Sequence, residues 1–299
     1  MIKHLSNKDI DKAKWDNAIA QSCNGNLYAT SWFLDVVSPA WSALVNDDYS
    51  FVMPLPTRKK IGYMYMFQPV FTQQLGPFYK DVFPFEALQL IPEEYKYIDL
   101  NINSILGLDI KDFRVIEYIN YTLSLSSSYD QLFKNYAYNT KRNVRKCLDS
   151  LKVVEDFNDT EAINIFKENR GEKISGYKNE NYTILLGLLK VLKEKNKLEK
   201  WGVISIDGEL LASAHFAVYE NTRVFLFSSI SVKGKQQRAM FYLLDRFIYR
   251  YQKSNLILDF SGSNDPELGR FYKGFGSDKT IYYKLIKNKL PFFLKWFKK

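Results

Sequence analysis

The chain has 299 residues, 46% hydrophobic and 25% charged, a globular composition that excludes disorder, collagen and a disulfide-stapled miniprotein. Its length points to two domains, and its 22 Phe, 21 Tyr and 5 Trp to large cores or an aromatic-lined cleft. The +9 net charge is uneven: residues 1–128 hold 11 Lys+Arg against 14 Asp+Glu, and the remainder 31 against 19. The cationic excess of the second part points to an anion, whether nucleic acid, a phosphorylated small molecule or a membrane surface, with an inert basic surface as the alternative. Cys23 and Cys147 form no CxxC and have only His4 and His215 beside them. Neither a metal site nor a disulfide framework is expected, and reduced thiols point to the cytoplasm. The N-terminus is charged throughout and does not read as a secretory signal. No apolar run reaches the ~20 residues of a spanning helix.

In chain order, residues 9–21 read as a helix with Ile10, Ala13, Trp15, Ala18 and Ile19 near helical spacing, and LYATSWFLDVVSP as a second, stopped by Pro39. Two apolar runs flank Thr57-Arg58-Lys59-Lys60, which reads as the turn of a hairpin; further strands are expected at Tyr97–Ile102 and Tyr118–Leu125. Ser126-Ser127-Ser128 supplies helix-cap chemistry where the charge balance flips, so the domains are placed at 1–127 and 128–299. The second then runs through NTKRNVRKCLDS, capped by Asn139 or Thr140 with Val144, Leu148 and Leu151 buried. Helices follow at about 159–170 and 180–196, then three strands, WGVISID, ELLASAHFAVYE and RVFLFSSIS. A Gly-bearing basic loop leads into the helix AMFYLLDRFIYRYQ, and LILDF is a last buried strand. The alternation gives an α/β (α+β) fold.

Three places carry candidate chemistry. A strand, short loop and helix form a phosphate cradle, because a helix N-terminus presents free N–H groups and partial positive charge. Lys233, Lys235 and Arg238 add formal charge there, and Gly234 lets the backbone approach a ligand; the alternative is a solvated basic turn. Lys141, Arg142, Arg145 and Lys146 stand on neighbouring helical positions and suit a diphosphate, an RNA backbone or an acidic partner, or else form a solvated face. Asp259 ends a buried strand, where ligands of α/β sheets collect; its alternative role is to cap or salt-bridge a loop through Arg270. His215 on an apolar strand reads as a hydrogen-bonded core histidine. The tail KLIKNKLPFFLKWFKK, six lysines among Leu, Ile, Phe and Trp, suits a membrane interface or packs on the second domain.

The order of NTKRNVRKCLDSLKV, WGVISIDGELLASAHFAVYENTRVFLFSSIS, AMFYLLDRFIYRYQ, LILDFSGS and FYKGFG, preceded by VMPLPTRKKIGYMYMFQPVFTQQLG, resembles the FemABX-like branch of the GNAT acyltransferase superfamily. The resemblance covers most of the chain and rests on the order of loose motifs. It implies two tandem GNAT-like domains, each a mainly antiparallel sheet flanked by helices, facing a cleft. It also implies an enzyme that transfers an acyl or aminoacyl group to an amine. Acyl-CoA or aminoacyl-tRNA would serve as co-substrate without a permanently bound cofactor, and the acceptor would be a small molecule or a peptidoglycan precursor. tRNA is then a partner and DNA is not. The protein would be cytoplasmic, with peripheral contact to the inner face of the membrane through 284–299. The resemblance maps the donor pyrophosphate onto Ser231, Val232, Lys233, Gly234, Lys235, Gln237, Arg238 and Ala239, and leaves Lys141, Arg142, Arg145 and Lys146 for acceptor phosphates or tRNA. In the family's F-K-x-G-F-G pattern Tyr272 stands at the lysine position and Lys273 one later. Catalysis is expected from backbone N–H groups around Phe227–Ser231 as oxyanion donors, Tyr272 or Lys273 as a side-chain contributor, and Asp259 or a water chain as proton acceptor. The alternative is a non-catalytic GNAT-fold protein that binds RNA or another anion.

Overall fold

A computed structural model of the chain describes residues 1–81, 87–103, 110, 112–147, 151–171, 178–262 and 264–295. Two compact units emerge, one formed by Met1–Tyr118 with Ile281–Lys299 and the other by Ile119–Thr280. The first contains β1 (Ile2–Ser6), α1 (Lys12–Gln21), α2 (Ser31–Val37), β2 (Ser42–Asn46), β3 (Phe51–Leu55), β4 (Thr57–Lys60), β5 (Tyr63–Phe67), β6 (Phe78–Tyr79) and β7 (Tyr95–Ile102). Next comes β8 (Arg114–Ser124), whose residues to Tyr118 belong to the first unit and the rest to the second. The second unit continues with α3 (Tyr129–Asn135), α4 (Tyr138–Arg145), β9 (Lys152–Val154), α5 (Asp159–Asn169), α6 (Asn179–Glu194), β10 (Leu198–Ile204), β11 (Leu210–Tyr219) and β12 (Thr222–Ile230). It ends with α7 (Val232–Gln236), α8 (Ala239–Tyr251), β13 (Ile257–Asp259) and α9 (Pro266–Lys273); β14 (Asp278–Asn288) and α10 (Phe292–Lys295) return to the first unit.

In the first unit β1-β2-β3-β6 form an antiparallel sheet, with the wholly apolar β3 buried between β2 and β6. The Asp11 carboxylate caps α1 by accepting the Ala13 and Lys14 N–H groups, both at 3.1 Å, and so sets the face that buries Trp15 and Ile19. A second run of strands pairs β4 with β5 antiparallel, β5 with β7 parallel and β7 with β14 antiparallel. In the second unit the order is β8-β13-β12-β11-β10-β9, antiparallel except for β12 with β13. Side chains alternate across β11. Phe216 faces α8 and stacks on Phe247 at 4.2 Å, whereas His215 faces the side where Phe166 of α5 packs on Phe227 of β12 at 5.1 Å. Burying Leu243, Leu244, Phe247 and Ile248 of α8 contributes about 1.5–3 kcal/mol each, which holds that helix on the sheet.

The mixed α/β fold, the three-strand run and the cap at Ser128, which pairs with Gln131, are as the sequence predicts. Several details differ. Thr57–Lys60 is the strand β4, and the turn is Ile61-Gly62, both at positive φ; four polar residues on an edge, three of them exposed, carry little strand signal. The strands β1 and β9 go unread in the sequence for a similar reason, being short and mostly exposed or half-buried; β2, with Ala43, Leu44 and Val45 buried, goes unread as well. The first helix begins at Lys12, three residues later than expected, after a 3-10 turn. Helix α4 begins after Ala137, so neither Asn139 nor Thr140 caps it; Leu148 lies outside the described residues. The division at Tyr118 differs from the boundary at 127/128. The tail belongs with the first unit, because β14 pairs with β7 and Leu290 packs among Tyr65 and Tyr97.

Candidate active site

The site grows from a parting of two strands. β12 pairs with β11 along its length but with β13 only at Thr222–Val224, because β13 stops at Asp259. From Phe225 onward the β13-side edge of β12 has no strand partner among the described residues. Register along β11 shifts there: His215 faces Phe227 while Phe216 faces Phe225, so Leu226 is an extra residue and β12 bulges where it is released. The Ser231 N–H donates to the Leu211 carbonyl at 2.9 Å and therefore points toward β11. Alternation then turns the Ser228 and Ile230 N–H groups toward the open edge. Of the predicted oxyanion donors in 227–231, these two have the right direction.

Asp259 sits at the fork. Its carboxylate accepts from the Asn120 amide at 3.0 Å and the Ser261 N–H at 2.8 Å, with no cation in the set. Burial pushes its carboxyl above the usual range, against the pull of those two donors. Of the expected alternative, the loop cap is present through the Ser261 N–H, while the salt bridge to Arg270 is not formed. Tyr272 lies face to face with Phe260 at 4.7 Å and touches Phe225, the β12 residue at the parting, at 6.3 Å. Its phenol is pushed up to about 12 by burial, with Arg170 pulling the other way, and its hydroxyl makes no hydrogen bond among the described residues. Asp259 is thus held by Asn120 and Ser261, and Tyr272 is part of the aromatic wall beside the parting. Lys273 is not: it is exposed at the last position of α9, since neighbours on a helix point about 100° apart. The rest of that motif is structural. Gly274 accepts the Ala137 N–H at 2.9 Å, and a Cβ there would lie 2.5 Å from the Thr140 hydroxyl.

The basic loop is a one-turn helix, α7, capped by the Ser231 hydroxyl, which accepts the Gly234 N–H at 3.0 Å. Gly234 is buried, and a Cβ would collide with the Leu211 carbonyl oxygen. Packing on β11 thus requires a glycine here by itself. Val232 is exposed, and Lys233 is engaged by Glu209 at 2.7 Å. The features left for an anion lie further on: exposed Lys235, Gln237, and Arg238 at φ +60°, which leads into α8 at Ala239.

These residues meet the second predicted cluster. Arg238 Nε donates to Asn143 Oδ1 at 2.9 Å, and Cys147 Sγ to the Gln237 carbonyl at 3.3 Å, so α4 lies against the start of α8. On α4, Lys141 donates to the Lys134 carbonyl and Arg142 to Asn139, while the Arg145 guanidinium covers the Phe133 ring at 5.7 Å. None of Lys141, Arg142, Arg145 and Lys146 has an ion-pair partner among the described residues. The cations are legible in the sequence, whereas Asn143 and Cys147 as the joint are not; both are buried beside exposed cations, Asn143 on α4 and Cys147 two residues past its end.

One cluster escaped the sequence. On the other face of β11, Asp159 receives Lys200 Nζ at 2.7 Å and His215 Nε2 at 3.0 Å. Burial works against it, yet the bonds from His215 and Lys200 hold the Asp159 carboxyl at about 2. His215, wholly buried, is depressed by burial and stays neutral near pH 7. It is the hydrogen-bonded core histidine that the sequence suggests. No group of three or more His, Cys, Asp or Glu among the described residues is placed to hold a metal ion, and no helix among them is long and apolar enough to cross a membrane.

No family model and no curated protein matches the sequence. Solved structures do match the fold. A crystal structure of FemX superposes with TM-score 0.71 at 12% identity over 99% of this chain and 100% of that one. L-PGS from Bacillus licheniformis gives 0.55 at 13% over 96% and 95%, and a GNAT-family acetyltransferase from Colwellia psychrerythraea 0.54 at 12% over 97% and 100%. At such identities the likeness is one of architecture: the chain has the fold shared by FemX and the GNAT-family acetyltransferase.

Proposed function

We propose that the chain is a GNAT-type transferase that moves an acyl or aminoacyl group from a CoA thioester or an aminoacyl-tRNA to an amine. The observation that carries this is the opened edge of β12, with the Ser228 and Ile230 N–H groups facing the gap and the strand leading through Arg238 into α8. Two outward amides suit the oxyanion that forms when an amine adds to an acyl carbonyl. The C–N bond forms, the C–S or C–O bond to the donor breaks, and the amine proton passes to Asp259 or to water. The raised Asp259 carboxyl brings that acceptor closer to neutrality than an ordinary aspartate. Lys235, Arg238 and the start of α8 are suited to donor phosphates, and the α4 cations to an acceptor phosphate or a tRNA backbone. A peptidoglycan-precursor amine fits this reading as acceptor. The two compact units are read as tandem GNAT-like domains, and exposed Phe292 and Phe293 beside Lys295 as the place of any peripheral membrane contact.

The unpaired cations of α4 favour one second reading, a GNAT-fold protein that binds RNA without catalysis. Incubation with acetyl-CoA or aminoacyl-tRNA and a panel of amines, followed by mass spectrometry, should show an amide product, with turnover falling about 100-fold or more in Asp259→Asn. Full turnover in both Asp259→Asn and Tyr272→Phe would overturn the residue roles. No product and no saturable thermal shift with either donor, together with RNA affinity that falls steeply with salt, would select the binder.

A further inference from the structure

The first unit holds a cavity of about 770 Å³, within the roughly 300–1,000 Å³ typical of small-molecule sites. Its walls include Trp41, Pro39, Ala40 and Met64. Its polar groups form a chain whose direction follows from counting protons. The Thr57 hydroxyl donates to the Leu55 carbonyl at 2.9 Å. The Tyr95 hydroxyl, 2.6 Å from Thr57 Oγ1, must then be the donor of that pair. Ser42, 3.1 Å from the Tyr95 oxygen, donates to it in turn, and His4 Nε2, 2.9 Å from Ser42 Oγ, carries the proton that completes the series. Burial pushes the Tyr95 phenol up, so it keeps its proton.

The remaining donors along the lining are also committed. Both Asn7 amide hydrogens go to Asp35 and the Pro39 carbonyl, at 3.0 and 3.1 Å; the Trp41 indole goes to Asp35 at 2.8 Å, and the Ser6 hydroxyl to Asp9. Asp35, though burial pushes it up, is held below the usual carboxylate range by Lys12, Trp41 and Asn7, and so stays ionised. Glu94 is exposed at the lining, with no hydrogen-bond or ion-pair partner among the described residues. Apart from Lys8 at the exposed rim, the side chains offer lone pairs and negative charge and keep their protons for one another. A ligand there must bring the donors.

We infer that this cavity binds a small amine with an apolar body: the ammonium is received by the free lone pairs of Ser42 and Tyr95 and by the Glu94 carboxylate, and the body lies against Trp41 and Met64. The inference rests on the hydrogen-bond directions of the first unit and is independent of the transferase reading, since it involves none of the residues around Asp259. The full chain is titrated calorimetrically with benzylamine, benzyl alcohol and benzoate. Benzylamine should bind saturably and ahead of the other two. Glu94→Gln, at an exposed position that leaves folding intact, should weaken benzylamine up to about fivefold. Ser42→Ala, which removes one receiving lone pair, should weaken it further. Benzoate binding as well as benzylamine would overturn the site. So would no saturation by about 10 mM benzylamine, or unchanged benzylamine affinity in both variants.

Discussion

Two aspartates of the second unit stand in opposite surroundings. Asp159, the first residue of α5, is met by Lys200 and buried His215, and its carboxyl sits at about 2. Asp259, the last residue of β13, is met only by two neutral donors, and burial drives its carboxyl up. The backbone presents both in much the same way, at the end of an element beside the same sheet. The neighbours decide the outcome: a carboxylate met by the Lys200 cation and the His215 N–H pins α5 to β10 and β11, while one without a cation is a stored cost at the fork of β12 and β13. Costs of that kind persist where chemistry needs them.

The largest expected effect breaks the first half of this contrast. Asp159→Ala would leave Lys200 and fully buried His215 without their common partner, and should destabilise the second unit by about 2–3 kcal/mol in urea unfolding at pH 7. A loss below about 0.5 kcal/mol would mean that solvent replaces the carboxylate and that the cluster holds nothing in place.

The same substitution logic runs the other way at Asp259. A carboxyl whose folded pKa is raised binds its proton more tightly in the native state than in the unfolded one. Stability from that proton is present at low pH and is lost as pH rises through the folded pKa. Asp259→Asn keeps the shape and removes the cost of ionising, so at pH 7 it should leave stability unchanged or raise it by about 1 kcal/mol or less while abolishing turnover. A clear destabilisation would make Asp259 a second structural strut and sink the distinction.

How far the sequence reveals this contrast depends on the range over which each signal acts. Periodicity discloses α5, α6, α8 and β10 to β12, because each carries its own apolar pattern. Asp259 is visible too, being an acid inside LILDF. The Asp159 cluster is invisible: Lys200 and His215 meet only because β10 and β11 place them directly opposite one another, and Asp159 arrives from a separate helix. Gly234 is legible as a glycine in a basic turn, yet its reason, the Leu211 carbonyl beneath it, belongs to a strand more than twenty residues earlier. The cations of α4 and of the β12–α8 connection are each readable, whereas their junction through Asn143 and Arg238 is a tertiary fact. Signals carried by one element were legible; those created by register between elements were not.

The smallest expected effect separates the two partners of Asp159. His215 has a folded pKa depressed by burial, so between the unfolded value near 6.5 and that lower folded value the unfolded chain binds a proton that the native chain does not. Stability must fall as pH drops through that window, by up to about 1.4 kcal/mol per pH unit for one proton. Asp159 adds a second decline further down, between 3.8 and about 2, where the unfolded carboxyl takes a proton that the native one still refuses. Urea midpoints followed from pH 7 to pH 3 should therefore bend downward twice. In His215→Gln, which keeps a donor for Asp159, the upper bend should disappear and the lower one remain. If both bends survive, the upper one belongs to another group and His215 is not held neutral. If the lower bend shrinks as well, to what Asp35 and the other paired aspartates leave, the Asp159 carboxyl depends on the imidazole, and Lys200 contributes little to what sets Asp159 apart from Asp259.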